Sequence, residues 1–406
     1  MTLSPFSDIA AMRLARDGTI SVAFTNGRCA TATLGREVFE SSSTIASSTY
    51  LPQSSRMHLQ TTRGDGILVD LPLPTDLAPT QGRPTIYFDQ NHWSTLTKAI
   101  YQPDRVDDER ERLAAERIIN LAINRRIVLP MSSAHISETC KQVDVEQRYR
   151  RALTIVRLSA GWQLRDPLEL RRLEIRQALT MRYRDRRLIL PAVVTLEPNA
   201  IQSGRIETVP PADANLPLQA QWAIRTMAHI GGIVDVMLDA RHVPMISADG
   251  WAAGFQRFAS FLRDNPTARE MKRRRTHAKF IADIMPELME EAARAGVTPD
   301  EMTDWTLNHS EEDLRSMAAL GLFREILHEK LSDGNLRWEG NDLVDMMYLT
   351  AAAGYCDHVV GERVHTSHIA NGLRRLVLWP GWFTVLWVVL AGQAGETVSD
   401  PAVWGC

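Results

Sequence analysis

The chain has 406 residues, 44% of them hydrophobic and 23% charged, which excludes a disordered polymer and implies more than one core. A net charge of −3 excludes a global electrostatic pull towards nucleic acid or membrane, so any basic footprint must be local. Cys29, Cys140, Cys356 and Cys406 form no CxxC pair and no zinc spacing, which points to a reduced cytoplasmic protein.

Met1 to Pro5 lacks a basic stretch leading into an apolar one, so no signal peptide is expected. Residues 1–80 read as a small β-rich domain. Thr19 to Phe24 ends at the Thr25-Asn26-Gly27 turn, and Gly66 to Leu71 follows Gly64-Asp65-Gly66. The serine-rich piece from Ser41 to Ser55 reads as a loop, and Pro72 to Pro84 as a linker.

Thr85-Ile86-Tyr87-Phe88-Asp89-Gln90-Asn91 is the central stretch. A β-type apolar run stops at a carboxylate and an amide, as when a sheet strand delivers polar groups to its carboxyl end. Asp89 alone would pass for a helix-capping acid; later acid-bearing segments shift the odds. A helix over Asp107 to Asn124 comes next. Arg125 to Pro130 reads as a second strand, and the helix after Met131-Ser132-Ser133 carries His135 and Glu138 on one face.

Residues 145–339 are helical in pattern and rich in arginine. Arg182, Arg184, Arg186 and Arg187 form one cluster, and Arg273, Arg274 and Arg275 another. A solvated, salt-bridged face is the other reading of such runs. Tyr149, Trp162 and Tyr183 interleave with the arginines, as phosphate contacts combined with base stacking would require.

Asn341 can cap a helix whose first turn bears Asp342 and Asp345, two acids where routine capping needs one. Asp357, a short strand, and Glu362 follow, then a strand over Arg374 to Trp379. The uncharged run Val377 to Gly395 approaches the ~20 residues of a membrane span. Pro380-Gly381 interrupts it, favouring a buried strand and a docking helix over an anchor.

This order of acids resembles the PIN-like nuclease domain family over residues 84–144 and 340–392, with 145–339 as a helical insertion and 393–406 as a tail. The resemblance implies an α/β fold with a parallel-sheet core, and hydrolysis of phosphodiester bonds, most often in RNA, with Mg²⁺ or Mn²⁺ as cofactor. By match of position, Asp89, Glu138, Asp342 and Asp345 would be the metal-binding acids and Asn91 the polar residue after the first. The family's fourth acid is commonly an aspartate after the last motif strand. Here Glu362 takes that place, with Asp357 competing.

Oxygen-only ligands suit a hard cation, and clustered carboxylates repel unless protonated or bridged. The alternative is a catalytically silent module that binds nucleic acid or a protein. A phosphatase-like hydrolase lacks support, because residue 91 is Asn where Asp-x-Asp is needed. No membrane association is expected, and a protein partner or homo-oligomer stays open.

Overall fold

A computed structural model describes residues 8–33, 37, 39, 43–71, 80–197, 200–202, 230–238, 249–333 and 336–376. The amino-terminal part is a six-stranded antiparallel sheet of β1 (Ile9–Ala15), β2 (Thr19–Phe24), β3 (Cys29–Thr33), β4 (Ile45–Leu51), β5 (Arg56–Thr61) and β6 (Gly66–Asp70). Its order is β3-β2-β1-β4-β5-β6. Gly27 (φ +82°) and Gly64 (φ +88°) take the left-handed conformation that the hairpin turns demand and that side chains resist.

Within the serine-rich piece expected as a loop, residues 45–51 instead form β4. Ser47 and Ser48 are buried within β4, where strand pairing outweighs the low β-preference of serine.

Met57, Leu59, Ile67 and Val69 alternate onto one face of the sheet and join a core with Ala152, Ile155 and Val156. Those last three belong to α4 (Val145–Ser159). The Tyr149 hydroxyl donates to Asp65 Oδ2 at 2.6 Å, and Arg157 Nε donates to the Gly66 carbonyl at 2.8 Å.

The chain between sheet and α4 holds β7 (Ile86–Phe88), α1 (Gln90–Tyr101), α2 (Glu109–Ile123) and α3 (Ser133–Cys140). After α4, the paired strands β8 (Gln163–Leu164) and β9 (Val194–Thr195) flank α5 (Pro167–Arg184). Helical residues 230–238 form α6. Then come α7 (Asp249–Asp264), α8 (Arg269–Arg294), α9 (Pro299–Asp304), a π-helical turn (Trp305–His309) and α10 (Ser310–Ser316). Last are α11 (Ala318–Ser332), α12 (Asp342–Tyr355), β10 (His358–Val360) and α13 (Arg363–Leu376).

Helix α11 is buried from Ala319 to Leu327 and is the axis of the helical part. Gly354 of α12 crosses it so closely that a Cβ there would lie 3.0 Å from the Ala318 carbonyl carbon.

The expected parallel-sheet core is not built. Among the described residues, parallel pairing of strands is confined to β7 and β10, with His358 opposite Ile86 and Val360 opposite Phe88. The stretch expected as a second strand makes a single bridge, Thr85 to Val128. Val128 exchanges two backbone bonds, with Ile86 and Pro84. Pro84 and Pro130 then lack N–H donors, and the chain enters α3 directly after Met131, so no ladder extends.

Of the strand expected over Arg374 to Trp379, the described residues are helical. Residues 374–376 close α13, whose Thr366, Ile369, Gly372 and Leu376 recur at helical spacing against the core. The apolar run after Leu376 and the linker over 72–79 lie outside the described residues. No helix among the described residues is long and apolar enough to cross a membrane.

Candidate carboxylate site

The residue after β7, Asp89, is the N-cap of α1. Its Oδ1 accepts the Gln90 N–H at 2.6 Å, and its own N–H donates to the Val360 carbonyl at 2.9 Å. One residue thus ends the strand, starts the helix and faces β10. Gly361 follows just past β10, and a Cβ built there would stand 3.8 Å from the Asp89 Cβ, an ordinary van der Waals contact.

Glu138 is placed by α3, whose start is locked by a reciprocal cap. The His135 N–H reaches the Ser132 hydroxyl, and the Ser132 N–H donates to His135 Nδ1 at 3.1 Å. With Nδ1 accepting, Nε2 carries the proton and donates to the Phe88 carbonyl at 2.7 Å. Both ring nitrogens are engaged. Burial holds the imidazole pKa down to about 4, so it is neutral near pH 7. His135 therefore joins the end of β7 to the start of α3 as a structural residue.

Asp345 lies on the first turn of α12, one turn before Tyr348. The Tyr348 hydroxyl is 2.5 Å from the Ser133 hydroxyl and also reaches Asp166 Oδ2 at 3.5 Å, tying α12 to α3. Glu362 follows β10 and accepts from Asn91 Nδ2 at 2.6 Å.

These elements enclose a cavity of ≈ 210 Å³ lined by Asp89, Asn91, Glu138, Asp345 and Glu362, together with Tyr87, Gln90, Tyr348 and His365. The Asp345 carboxyl is pushed up to about 7, first by burial and then by Asp89, Glu138, Asp342 and Glu362. Asp89 is also raised, mainly by burial. His365 Nε2 lies 3.9 Å from Asp345 Oδ2; burial lowers its pKa, followed by the Lys330 charge.

Two acids named from the sequence lie elsewhere. Asp342 is absent from the cavity wall: its Oδ1 is paired with the buried Lys330, and its Oδ2 accepts the Glu339 N–H at 2.7 Å. Asp357 accepts from both the N–H and the hydroxyl of Thr85 at 2.7 Å, which secures β10 to β7. Of the two competing acids, Glu362 is the one at the cavity.

The arginine clusters are largely engaged. Arg182 is held by Asp313 and Glu312, Arg184 by Glu301, Arg273 by Glu325 and Glu311, and Arg274 by Glu270. Arg275 bonds the Asn265 carbonyl at 3.3 Å and lies over the Phe261 ring, while Arg186 and Arg187 are exposed. The interleaved aromatics are also committed: Tyr149 and Trp162 are buried, and Tyr183 donates to Asp304.

Sequence reasoning missed Gln90, Tyr348 and His365 as wall residues. A signal existed for two of them, since Tyr348 and His365 each stand three residues after a named acid, one helical turn on.

Whether a divalent cation fits can be tested on the wall itself. Among the described residues, no three His, Cys, Asp or Glu side chains are gathered as a metal-holding group. The carboxylates ring the cavity, with Glu138 drawn to Lys141 and Glu362 to Asn91. The donor chemistry nevertheless suits a hard cation: four carboxylates in mutual repulsion, and Gln90 Oε1, buried with no hydrogen-bond partner. A bound cation would have to draw the side chains inward. No family model, no curated protein and no solved structure matches this chain.

Proposed function

We propose that the chain hydrolyses phosphodiester bonds of nucleic acid, RNA foremost, at the carboxylate cavity, with Mg²⁺ or Mn²⁺ as cofactor. The supporting observation is the wall itself: acids from four separate segments, Asp89, Glu138, Asp345 and Glu362, border one cavity. The reading rests on the order of those acids and their shared cavity, and on no sheet architecture.

Asp89, Glu138 and Asp345 would hold the cation, with Glu362 beside them. When bound, the cation would supply Lewis-acid polarisation of the phosphate and charge neutralisation at the leaving oxygen. Asn91 fixes Glu362 by occupying Oε1, which leaves Oε2 able to accept a proton from an attacking water. Tyr87 and Tyr348 close the inner wall and limit the water around the acids.

The test is incubation of labelled RNA and DNA with wild type and Asp89→Asn, in Mn²⁺, Mg²⁺ or chelator. Cleavage should require the metal, favour RNA and fall by on the order of 10²-fold or more in the variant. Equal cleavage by both proteins refutes the assignment. One observation favours a binding-only module, the dispersal of the carboxylates around the cavity. Inertness of both proteins with every metal and both nucleic acids selects that reading.

A further inference from the structure

The amino-terminal sheet carries one apolar face across its strands. The register sets Tyr50 beside Met12, Met12 beside Val22, and Val22 beside Ala30; Leu14, Ile20 and Ala32 form the next row. The β4–β6 half of that face is buried in the core, whereas β2 is half-exposed throughout and β3 fully exposed. Among the described residues, β3 is an edge strand.

Its outer side, unpaired among the described residues, has a defined bonding pattern. Phe24 donates its N–H to the Arg28 carbonyl, so by alternation Ala30 and Ala32 bond to β2, while Cys29, Thr31 and Thr33 direct their backbone groups outward. Edge strands are ordinarily guarded by lysine, proline or a bulge. Cys29-Ala30-Thr31-Ala32-Thr33 has no such residue, and its register with β2 is unbroken.

We propose that this edge pairs antiparallel with the same edge of a second copy of the chain, about a two-fold axis at Thr31. In that register Thr31 faces Thr31, and Cys29 faces Thr33 of the second copy. All of these positions point outward, giving about six backbone hydrogen bonds. Ala30 faces Ala32, small against small, and the apolar faces of the two sheets become continuous. Charge agrees with this choice of occupant. Arg28 precedes β3 at one end, and Asp17 sits in the β1–β2 turn beyond the Thr19–Thr33 pair at the other. The two-fold brings the Arg28 end of each copy to the Asp17 end of its mate.

The experiment is size-exclusion chromatography with light scattering on the full chain. The mass should rise from 45.6 kDa towards about 91 kDa as concentration is raised to about 100 µM, since so short an edge makes a small interface. Thr31→Lys sets like charges opposite each other, and Thr31→Pro deletes an outward donor. Each should restore the single-chain mass without lowering the thermal midpoint. Arg28→Glu should weaken the dimer, and adding Asp17→Arg should recover it, a gain that misfolding cannot mimic. A mass of one chain at every concentration overturns the proposal, as does a dimer indifferent to Thr31→Lys and to the charge exchange.

Discussion

Replacing Asp345 with Asn should stabilise the protein at alkaline pH, although it alters a residue of the candidate site. The wild-type carboxyl ionises at about 7 in the fold against an ordinary 3.8. The unfolded chain releases that proton more readily than the folded one. Below pH 4 both states hold it, and the group is neutral in effect. Between 4 and 7 the unfolded state gains, and above 7 the full penalty stands.

Fully felt, that difference would be worth ~4 kcal/mol. The side chain is 38% exposed, and water screens the repulsion, so ~1–2 kcal/mol is the reasonable magnitude. For a chain of 406 residues this corresponds to a midpoint ~1–2 °C higher in the variant at pH 8. The gain should fade as the pH is lowered towards 4. Scanning fluorimetry of both proteins across pH 4–9 is the assay. A variant less stable than wild type at pH 8, or a gain that persists at pH 4, would refute the electrostatic reasoning.

Three further variants have expected outcomes from the same geometry. His135→Ala should lose about 2–4 kcal/mol in urea unfolding, since it removes a buried ring and two backbone bonds. Because the folded imidazole titrates near 4, wild-type stability from this group is complete above pH 6.5 and falls away towards pH 4, a loss the variant should lack. Asp357→Ala should cost about 1–3 kcal/mol by leaving the Thr85 donors unmet, whereas Glu362→Gln should keep the thermal midpoint and reduce any cleavage on the order of 10²-fold. The opposite pattern would reassign the two acids.

What could be read from the sequence was local. Asp89 after an apolar run and Asp345 on a first turn are visible because strand ends and helix starts leave short signatures. Residues 127–130 look like a strand by composition, yet what they lack is a ladder partner, and partners are not encoded within four residues. The arginines misled for the same reason. Arg182 lies 131 residues from Asp313, and Arg273 lies 52 from Glu325, so their neutralising acids sat on helices that no pattern connected. Asp342 was indistinguishable from Asp345 until Lys330 was seen to claim it.

The bond between Asn91 and Glu362 spans 271 residues. On a ribosome adding 5–20 residues each second, the first half of the cavity must wait roughly 15–50 s for the second. Through that interval β7 has Val128 on one side and no β10 on the other, with three apolar residues at an incomplete edge. Asp345 and Glu362 join Asp89 and Glu138 only after α11 has been made, so the repulsion that acts on Asp345 is postponed until α11 and α12 can oppose it. The cavity wall is consequently complete only once Glu362 has been made. Chains cut short anywhere before Val360 would carry half a wall and an open strand.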